Sequence, residues 1–311
     1  MLGVGIVGRG YGQNVHLPAW RSHSEVKVLA VGGRSDWAAM LGDERIRILS
    51  LSVPPLEQPA LICQAAAAGK HVFCEKPVAG NLSGAEEALA AVRQAGAWHG
   101  VDFLFPALPA WKATREALPR LGRLTHAHLT WFLESRAFRQ PESGNWKVSP
   151  ERGGGALFNF ASHTLHYLEW LFGRAVRLCS QARGGAGADL LLQFANGMHV
   201  AASFSADSYR GSGHRLEVYG QQGRLLLSNN SGDFARGFQL ELEARGEAPI
   251  CFFADEPGSG DGRIPPVAHL TGRLLQCVRT GESDEQLPNL EHGLRVQHLL
   301  EAAARPGWQE L

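Results

Sequence analysis

The chain has 311 residues, enough for two domains each with its own core, and its 30 Lys and Arg balance its 30 Asp and Glu with no block of like charge. That balance excludes a polyelectrolyte partner, so neither nucleic acid nor an anionic membrane surface is expected. The sequence shows no basic-then-apolar leader and no apolar run long enough to span a bilayer, and its five scattered cysteines lack a C-x-x-C pair, so the expectation is a cytoplasmic protein with reduced thiols.

Residues 2–7 form a short apolar strand that runs directly into Gly8-Arg9-Gly10-Tyr11-Gly12-Gln13. Strand, glycine turn and helix follow one another there. Gly8 permits the tight turn, and Gly10 lets backbone amides approach a pyrophosphate seated on the positive end of the next helix. Gln13 stands where a strict G-x-G-x-x-G carries its last glycine. Residues 26–31 make a second strand ending at Gly32-Gly33-Arg34-Ser35, with Asp36 placed to cap a short helix. Residues 46–53 are a third strand, stopped by Pro54-Pro55, and 59–69 an alanine-rich helix. Residues 70–74 deliver Glu75-Lys76-Pro77 at a strand's carboxyl end, where doubly wound folds do their chemistry. A lysine held there by the following proline can give a proton to a carbonyl oxygen or take one from an alcohol. Ser83 with Glu86 reads as a capping box opening a helix to Ala95, and 101–105 as one more strand. Strands alternating with helices predict a parallel sheet.

After about Gly122 the pattern changes. Residues 124–133, 176–181, 189–194, 199–205, 215–219, 224–228 and 238–243 read as strands separated mostly by Gly, Asn or Asp turns, the mark of a largely antiparallel sheet. One helix, 156–172, interrupts them, entered from Gly153-Gly154-Gly155; glycine- or proline-rich stretches at 183–187 and 256–266 read as loops, and helices over 269–278 and 290–304 close the chain. The expected domains are 1–120 and 121–311. On the interrupting helix Asn159, His163, His166 and Trp170 recur at intervals of four, three and four and share a face. His163 and His166 are half a metal site with no third ligand in view, so no metal is expected.

In this order and spacing the pieces resemble the glucose-fructose oxidoreductase, inositol dehydrogenase and rhizopine-catabolism family, Gfo/Idh/MocA. The resemblance is carried by the glycine turn at 8–12 with His16 and Pro18 behind it and by Ala68-Gly69-Lys70-His71-Val72 leading to Glu75-Lys76-Pro77. The Gly153-Gly154-Gly155 helix with His163 and the closing Asn289-Leu290-Glu291-His292-Gly293-Leu294-Arg295-Val296 complete it. It implies an α/β fold: an amino-terminal Rossmann domain and a carboxyl-terminal α+β domain whose open sheet forms homodimers or homotetramers. It implies hydride transfer between a nicotinamide cofactor and a carbon of a sugar, cyclitol or nucleotide-linked sugar. Catalytic roles fall on Lys76, His163 and Asn159. Cofactor contacts fall on Gly8, Gly10, Tyr11, Gly12, Gln13, Gly33, Arg34, Ser35, Val53, Pro54, Glu75 and Lys76.

The chain departs from the family between Ser35 and Asp36, where members place a helix and a strand, so a Rossmann sheet lacking its third strand is expected. Asn159 stands where many members have aspartate, and an amide can orient His163 but cannot take a proton. Gln58 and Pro106 stand where members often carry histidine and arginine. At the end of the second strand Gly33, Arg34 and Ser35 suit a 2′-phosphate, so NADP is preferred and NAD is second. The loop from Arg136 to Arg152 carries Trp146, Lys147 and Arg152; with Asn159 and His163 these are the expected substrate contacts, suited to a phosphorylated or nucleotide-linked sugar, unless they are ordinary solvated charges. Two alternatives stay open: a non-catalytic nucleotide-binding sensor or co-repressor on the same fold, and a lyase or hydrolase that cycles a bound cofactor.

Overall fold

Apolar runs of three to seven residues alternate with helices through the first hundred residues, and in the computed structural model, which describes residues 1–140, 145–256 and 258–311, they assemble into a five-stranded parallel sheet. Its strands are β1 (Leu2–Val7), β2 (Val26–Gly32), β3 (Ile46–Leu51), β4 (His71–Cys74) and β5 (His99–Val101), in the order β2-β1-β3-β4-β5. Helices α1 (Leu17–Arg21), α2 (Trp37–Gly42), α3 (Gln58–Ala67) and α4 (Leu82–Ala95) connect them. Val4, Ile6, Val7, Ile48, Leu49, Val72 and Phe73 are fully buried, the continuous apolar pattern of strands covered on both faces. The third strand of the family pattern is missing, as expected: β2 is an edge, and only a 3₁₀ turn (Arg34–Asp36) and α2 lead from it to β3 on the other side of β1.

Two expected caps are placed differently. Asn81, in extended conformation, opens α4 by accepting from the Gly84 amide at 2.9 Å, while Ser83 already lies inside the helix and donates to Glu87. Asp36 makes no capping bond to α2; its carboxylate turns back to the Gly33 amide at 2.8 Å. β5 is also shorter than expected, because the Phe103 amide bonds back to the Val101 carbonyl and turns the chain.

The second sheet has nine strands: β6 (Leu124–Phe132), β7 (Ala175–Arg183), β8 (Gly187–Phe194), β9 (His199–Ser205), β10 (Gly213–Gly220), β11 (Gly223–Asn229), β12 (Gln239–Ala244), β13 (Ile250–Ala254) and β14 (Gln309–Glu310). The order is β13-β12-β11-β10-β6-β9-β8-β7-β14, antiparallel except for β6 beside β9. β13 and β14 escape sequence reading because they are edge strands, one almost wholly exposed and the other two residues long. Helices α5 (Pro109–Ala117), α6 (Arg136–Arg139) and α7 (Ser162–Phe172) accompany this sheet, and α8 (Ile264–Thr280) and α9 (Leu290–Ala303) end the chain.

The chain divides into two compact units, Met1–Leu104 with Arg263–Gln297, and Phe105–Gly262 with His298–Leu311. This differs from a single expected boundary at 120. The physical reason is α8, whose buried Val267, Leu270 and Leu274 belong to the first unit, where the helix packs on α1 and His23 reaches Thr271 at 2.9 Å. Among the described residues, no helix is long and apolar enough to cross a membrane.

Candidate active site

The carboxyl ends of β1, β3, β4 and β5 carry the first unit's polar residues. β1 ends at Gly8, whose φ of 132° belongs to glycine and whose amide donates to Gly32 at 2.8 Å; a Cβ there would lie 2.4 Å from the Ser52 carbonyl oxygen. At Gly10 the opposite holds, since an added Cβ would meet nothing within 4 Å. A tight turn backed by β3 and open in front, with a helix beginning at Tyr11, fits the pyrophosphate of a dinucleotide. Gly8, Gly10 and Gly12 would hold it, and half-buried Val53 and Pro54 follow β3 nearby in the chain. Gln13, Arg34 and Ser35 are exposed, and the Arg34 guanidinium sits 3.0 Å from Glu57 Oε1.

Glu75-Lys76-Pro77 leaves β4 with the Glu75 amide still bonded to Leu51 at 2.9 Å. Gln58, fully buried at the start of α3, spans the tripeptide: its Nε2 donates to the Glu75 carbonyl at 2.6 Å and to the Pro77 carbonyl at 3.2 Å. The Lys76–Pro77 peptide is cis. Two clamped carbonyls fix the backbone from which the half-buried Lys76 side chain projects.

Behind Glu75 lies a cluster the sequence reading did not assemble. His16, fully buried, presents Nε2 to Glu75 Oε1 at 3.0 Å and to Asp102 Oδ2 at 3.8 Å, while its Nδ1 meets Ser50 Oγ at 2.9 Å. Trp20 Nε1 donates to the same Ser50 oxygen and Tyr11 OH to Asp102 Oδ2 at 3.0 Å. Burial by itself would depress the His16 imidazole, but Asp102 and Glu75 outweigh it and hold its pKa at about 9. Burial and the Asp102 charge raise Glu75 to about 7 against the pull of His16 and Lys76. Burial, followed by the same two carboxylates, also pushes up the Tyr11 phenol. His16, Glu75 and Asp102 thus form a largely buried group with two carboxyls to one imidazole, and Glu75 is the chain neighbour of Lys76. One signal was available: Asp102 is a charge inside the apolar run Val101-Asp102-Phe103-Leu104-Phe105, and buried charges are seldom idle.

In the second unit, α7 is entered through a π-helical turn, Leu157–Ala161, a device frequent at functional sites. Because of it, Asn159 does not continue the regular α-helical face of His163 and His166. Asn159 Nδ2 instead donates to the Lys147 carbonyl at 2.9 Å, tying the loop of Trp146 and Lys147 to the helix. Trp146 is half-buried, and Lys147 and Arg152 are exposed; the part of this loop at 141–144 lies outside the described residues. His163 is 6% exposed, its ring edge-on to Phe105 at 5.1 Å. Nearby, Tyr167 OH joins Thr164 Oγ1 and His214 Nε2, each at 2.9 Å, and the His214 ring stacks flat on Trp131 at 4.4 Å. Burial holds His214 down to about 3.

A phosphate-ready glycine turn and a clamped lysine on one parallel sheet define a dinucleotide-binding oxidoreductase of Rossmann type. Residues 30–103 match the family model described as "Oxidoreductase family, NAD-binding Rossmann fold" and residues 115–226 that of the GFO/IDH/MocA C-terminal domain, and the chain belongs to this family. An uncharacterised oxidoreductase of Synechocystis sp. is 29% identical over 345 residues, covering 96% of this chain and 92% of the relative. The 1,5-anhydro-D-fructose reductase of Ensifer adhaerens is 29% identical over 195 residues, 59% of this chain and 57% of the reductase. Among solved structures, the aldose-aldose oxidoreductase of Caulobacter crescentus in complex with glycerol superposes with a TM-score of 0.82 at 18% identity, over 100% of this chain and 99% of that one. Levoglucosan dehydrogenase, in complex with NADH and L-sorbose, superposes with a TM-score of 0.82 at 17% identity, over 100% and 98%. At these identities the superpositions show the fold.

Proposed function

We propose that this chain is a nicotinamide-dependent dehydrogenase or reductase that interconverts an alcohol and a carbonyl on a sugar, a cyclitol or a nucleotide-linked sugar. The observation that carries the reading is the clamped tripeptide: Gln58 holds the carbonyls on both sides of Lys76, at the carboxyl end of β4, one strand removed in the same sheet from β1 and its glycine turn. The nicotinamide supplies or accepts the hydride. Lys76 gives the proton to the carbonyl oxygen, or takes it from the alcohol, in the same event. Glu75, fixed by His16, keeps a carboxyl group beside that lysine in the chain, and its raised pKa lets it share the proton load near neutral pH. His163 and Asn159 orient the substrate, with Trp146, Lys147 and Arg152 as further contacts, roles that rest on the family resemblance. Sugar chemistry is supported by the relatives, one named for anhydrofructose reduction and one solved with a sugar and NADH. Arg34, which favoured NADP in the sequence, is engaged by Glu57. Self-association as a homodimer or homotetramer through the carboxyl-terminal sheet, the expectation from the family, is read out by light scattering.

The test is a titration with NADH and NADPH followed by turnover on a panel of sugars and cyclitols. A Lys76→Ala variant is expected still to bind cofactor and to lose about a hundredfold or more in kcat, the usual value of a proton-transferring group. Parental turnover by that variant, or no binding of either cofactor by the parent, overturns the proposal.

A further inference from the structure

A Rossmann fold ordinarily meets the adenosine ribose at the end of its second strand, and here position 33, where an acidic residue would accept from the ribose hydroxyls, is glycine, with no third strand following it in the sheet. The structure puts a carboxylate there by another route. From the end of β2 the chain makes a single 3₁₀ turn, Arg34–Asp36, that folds Asp36 back over the strand it has just left. Asp36 Oδ2 accepts from the Gly33 amide at 2.8 Å and from Ser35 Oγ at 3.3 Å. Its position is measurable against the strand end: a Cβ built on Gly32 would lie 2.3 Å from Asp36 Oδ2, so the carboxylate fills the space of a strand-end side chain. Arg9, within the glycine turn itself, reaches the same oxygen at 3.8 Å, which places Asp36 alongside the turn that would carry the pyrophosphate.

Resting on the dinucleotide-binding reading above, we infer that Asp36 selects NAD over NADP by accepting a hydrogen bond from the adenosine ribose. The side chain is 46% exposed, so oxygen lone pairs remain open to a ligand. The charges around it support the choice. Arg9 and Arg34 are the nearby cations, and each already has a carboxylate, Asp36 at 3.8 Å and Glu57 at 3.0 Å. Two cations matched by two anions leave no net positive charge for a 2′-phosphate, which would bring about −1.5 to −2 charges up to Asp36. A ribose hydroxyl brings a donor and no charge, which is what an acceptor-only carboxylate needs. In this shortened domain the cofactor-reading residue thus sits in the turn behind the strand end rather than at the strand end itself.

The experiment is a fluorescence titration of the full chain with NADH and with NADPH at one fixed ionic strength, for the parent, Asp36→Asn and Asp36→Ala. The parent is expected to bind NADH at least about tenfold more tightly than NADPH, the value of a charge-assisted hydrogen bond set against a like-charge contact. Both variants are expected to bring the two affinities within about threefold, chiefly by weakening NADH in Asp36→Ala and by strengthening NADPH in Asp36→Asn. Retained NADPH binding by the variants shows that they are folded. A parent that prefers NADPH, or a preference for NADH that survives in both variants, overturns the assignment of Asp36 and leaves the oxidoreductase reading standing. A parent that binds neither cofactor overturns that reading and the assignment together.

Discussion

Replacing His16 by glutamine tests whether the group behind Glu75 works as a charge cluster. Glutamine keeps a donor for Glu75 but cannot carry charge. In the native protein the His16 pKa is about 9, against 6.5 for an unperturbed histidine, a difference worth about 3 kcal/mol of folding free energy at 1.36 kcal/mol per unit. The folded value lies above the unfolded one, so the native state holds the proton more tightly. The stabilisation is complete below pH 6.5 and disappears as pH rises through 9. Asp102, Glu75 and Tyr11 face the ring, with Arg263 stacked over Tyr11, so the same substitution takes the imidazolium away from the buried Asp102 and from the partly buried Glu75, which keeps the pull of Lys76. His16→Gln is expected to be less stable than the parent by about 4 kcal/mol at pH 6, narrowing to about 1 kcal/mol, the worth of an ordinary hydrogen bond, by pH 10. Urea unfolding at pH 6, 8 and 10, followed by tryptophan fluorescence, reads this directly, with Trp20 hydrogen-bonded to the same serine as His16. Histidine NMR supplies the matching signal: one imidazole that stays protonated past pH 8 and is absent from the variant. A stability gap that does not change with pH, or thirteen histidines that all titrate near or below 6.5, would refute the reasoning.

Two further outcomes are expected. Gly8→Ala forces a side chain into a backbone with φ of 132° and to within 2.4 Å of Ser52, so it is expected to abolish NADH binding and to lower stability by several kcal/mol; calorimetry showing parental affinity would contradict the role given to the turn. His214 acts opposite to His16. Its folded pKa, about 3, lies below the unfolded value, so the protein loses stability as pH falls under 6.5, by about 3 kcal/mol at pH 4, and His214→Gln is expected to flatten that acid limb in a thermal-melt series.

The parts of this molecule legible in the sequence are those that repeat or alternate. The βα rhythm of residues 2–101 and the alternating strands of 124–243 carry period and turn chemistry along the chain, and both sheets follow from them. Glu75-Lys76-Pro77 was legible because three adjacent residues announce one backbone feature. What stayed hidden is assembled across the sequence. His16, Ser50, Glu75 and Asp102 come from four different segments, and only the order β1-β3-β4-β5 brings those strand ends together. Asp36 shows the same limit on a shorter scale. As a residue before an apolar stretch it reads as a helix cap, and the propensity is sound. Its carboxylate has a nearer donor, because the 3₁₀ turn brings the Gly33 amide within 2.8 Å, and local competition between two amides decided the outcome.

The same competition explains why shortening this domain need not cost it a cofactor. In a sheet that continues past β2, the chain leaves the strand end and does not return to it. Here β2 is an edge, the chain must reach β3 on the far side of β1, and the turn that starts this short path is what folds a carboxylate back toward the glycine turn. Recognition of the ribose then depends on one turn rather than on a strand and helix. The energetic consequence is specific: a surface turn holding Asp36 through a backbone amide and an exposed arginine is fixed by about 1 kcal/mol or less per contact, so cofactor choice in this chain is expected to move with substitutions at Arg9 and Ser35 as well as at Asp36.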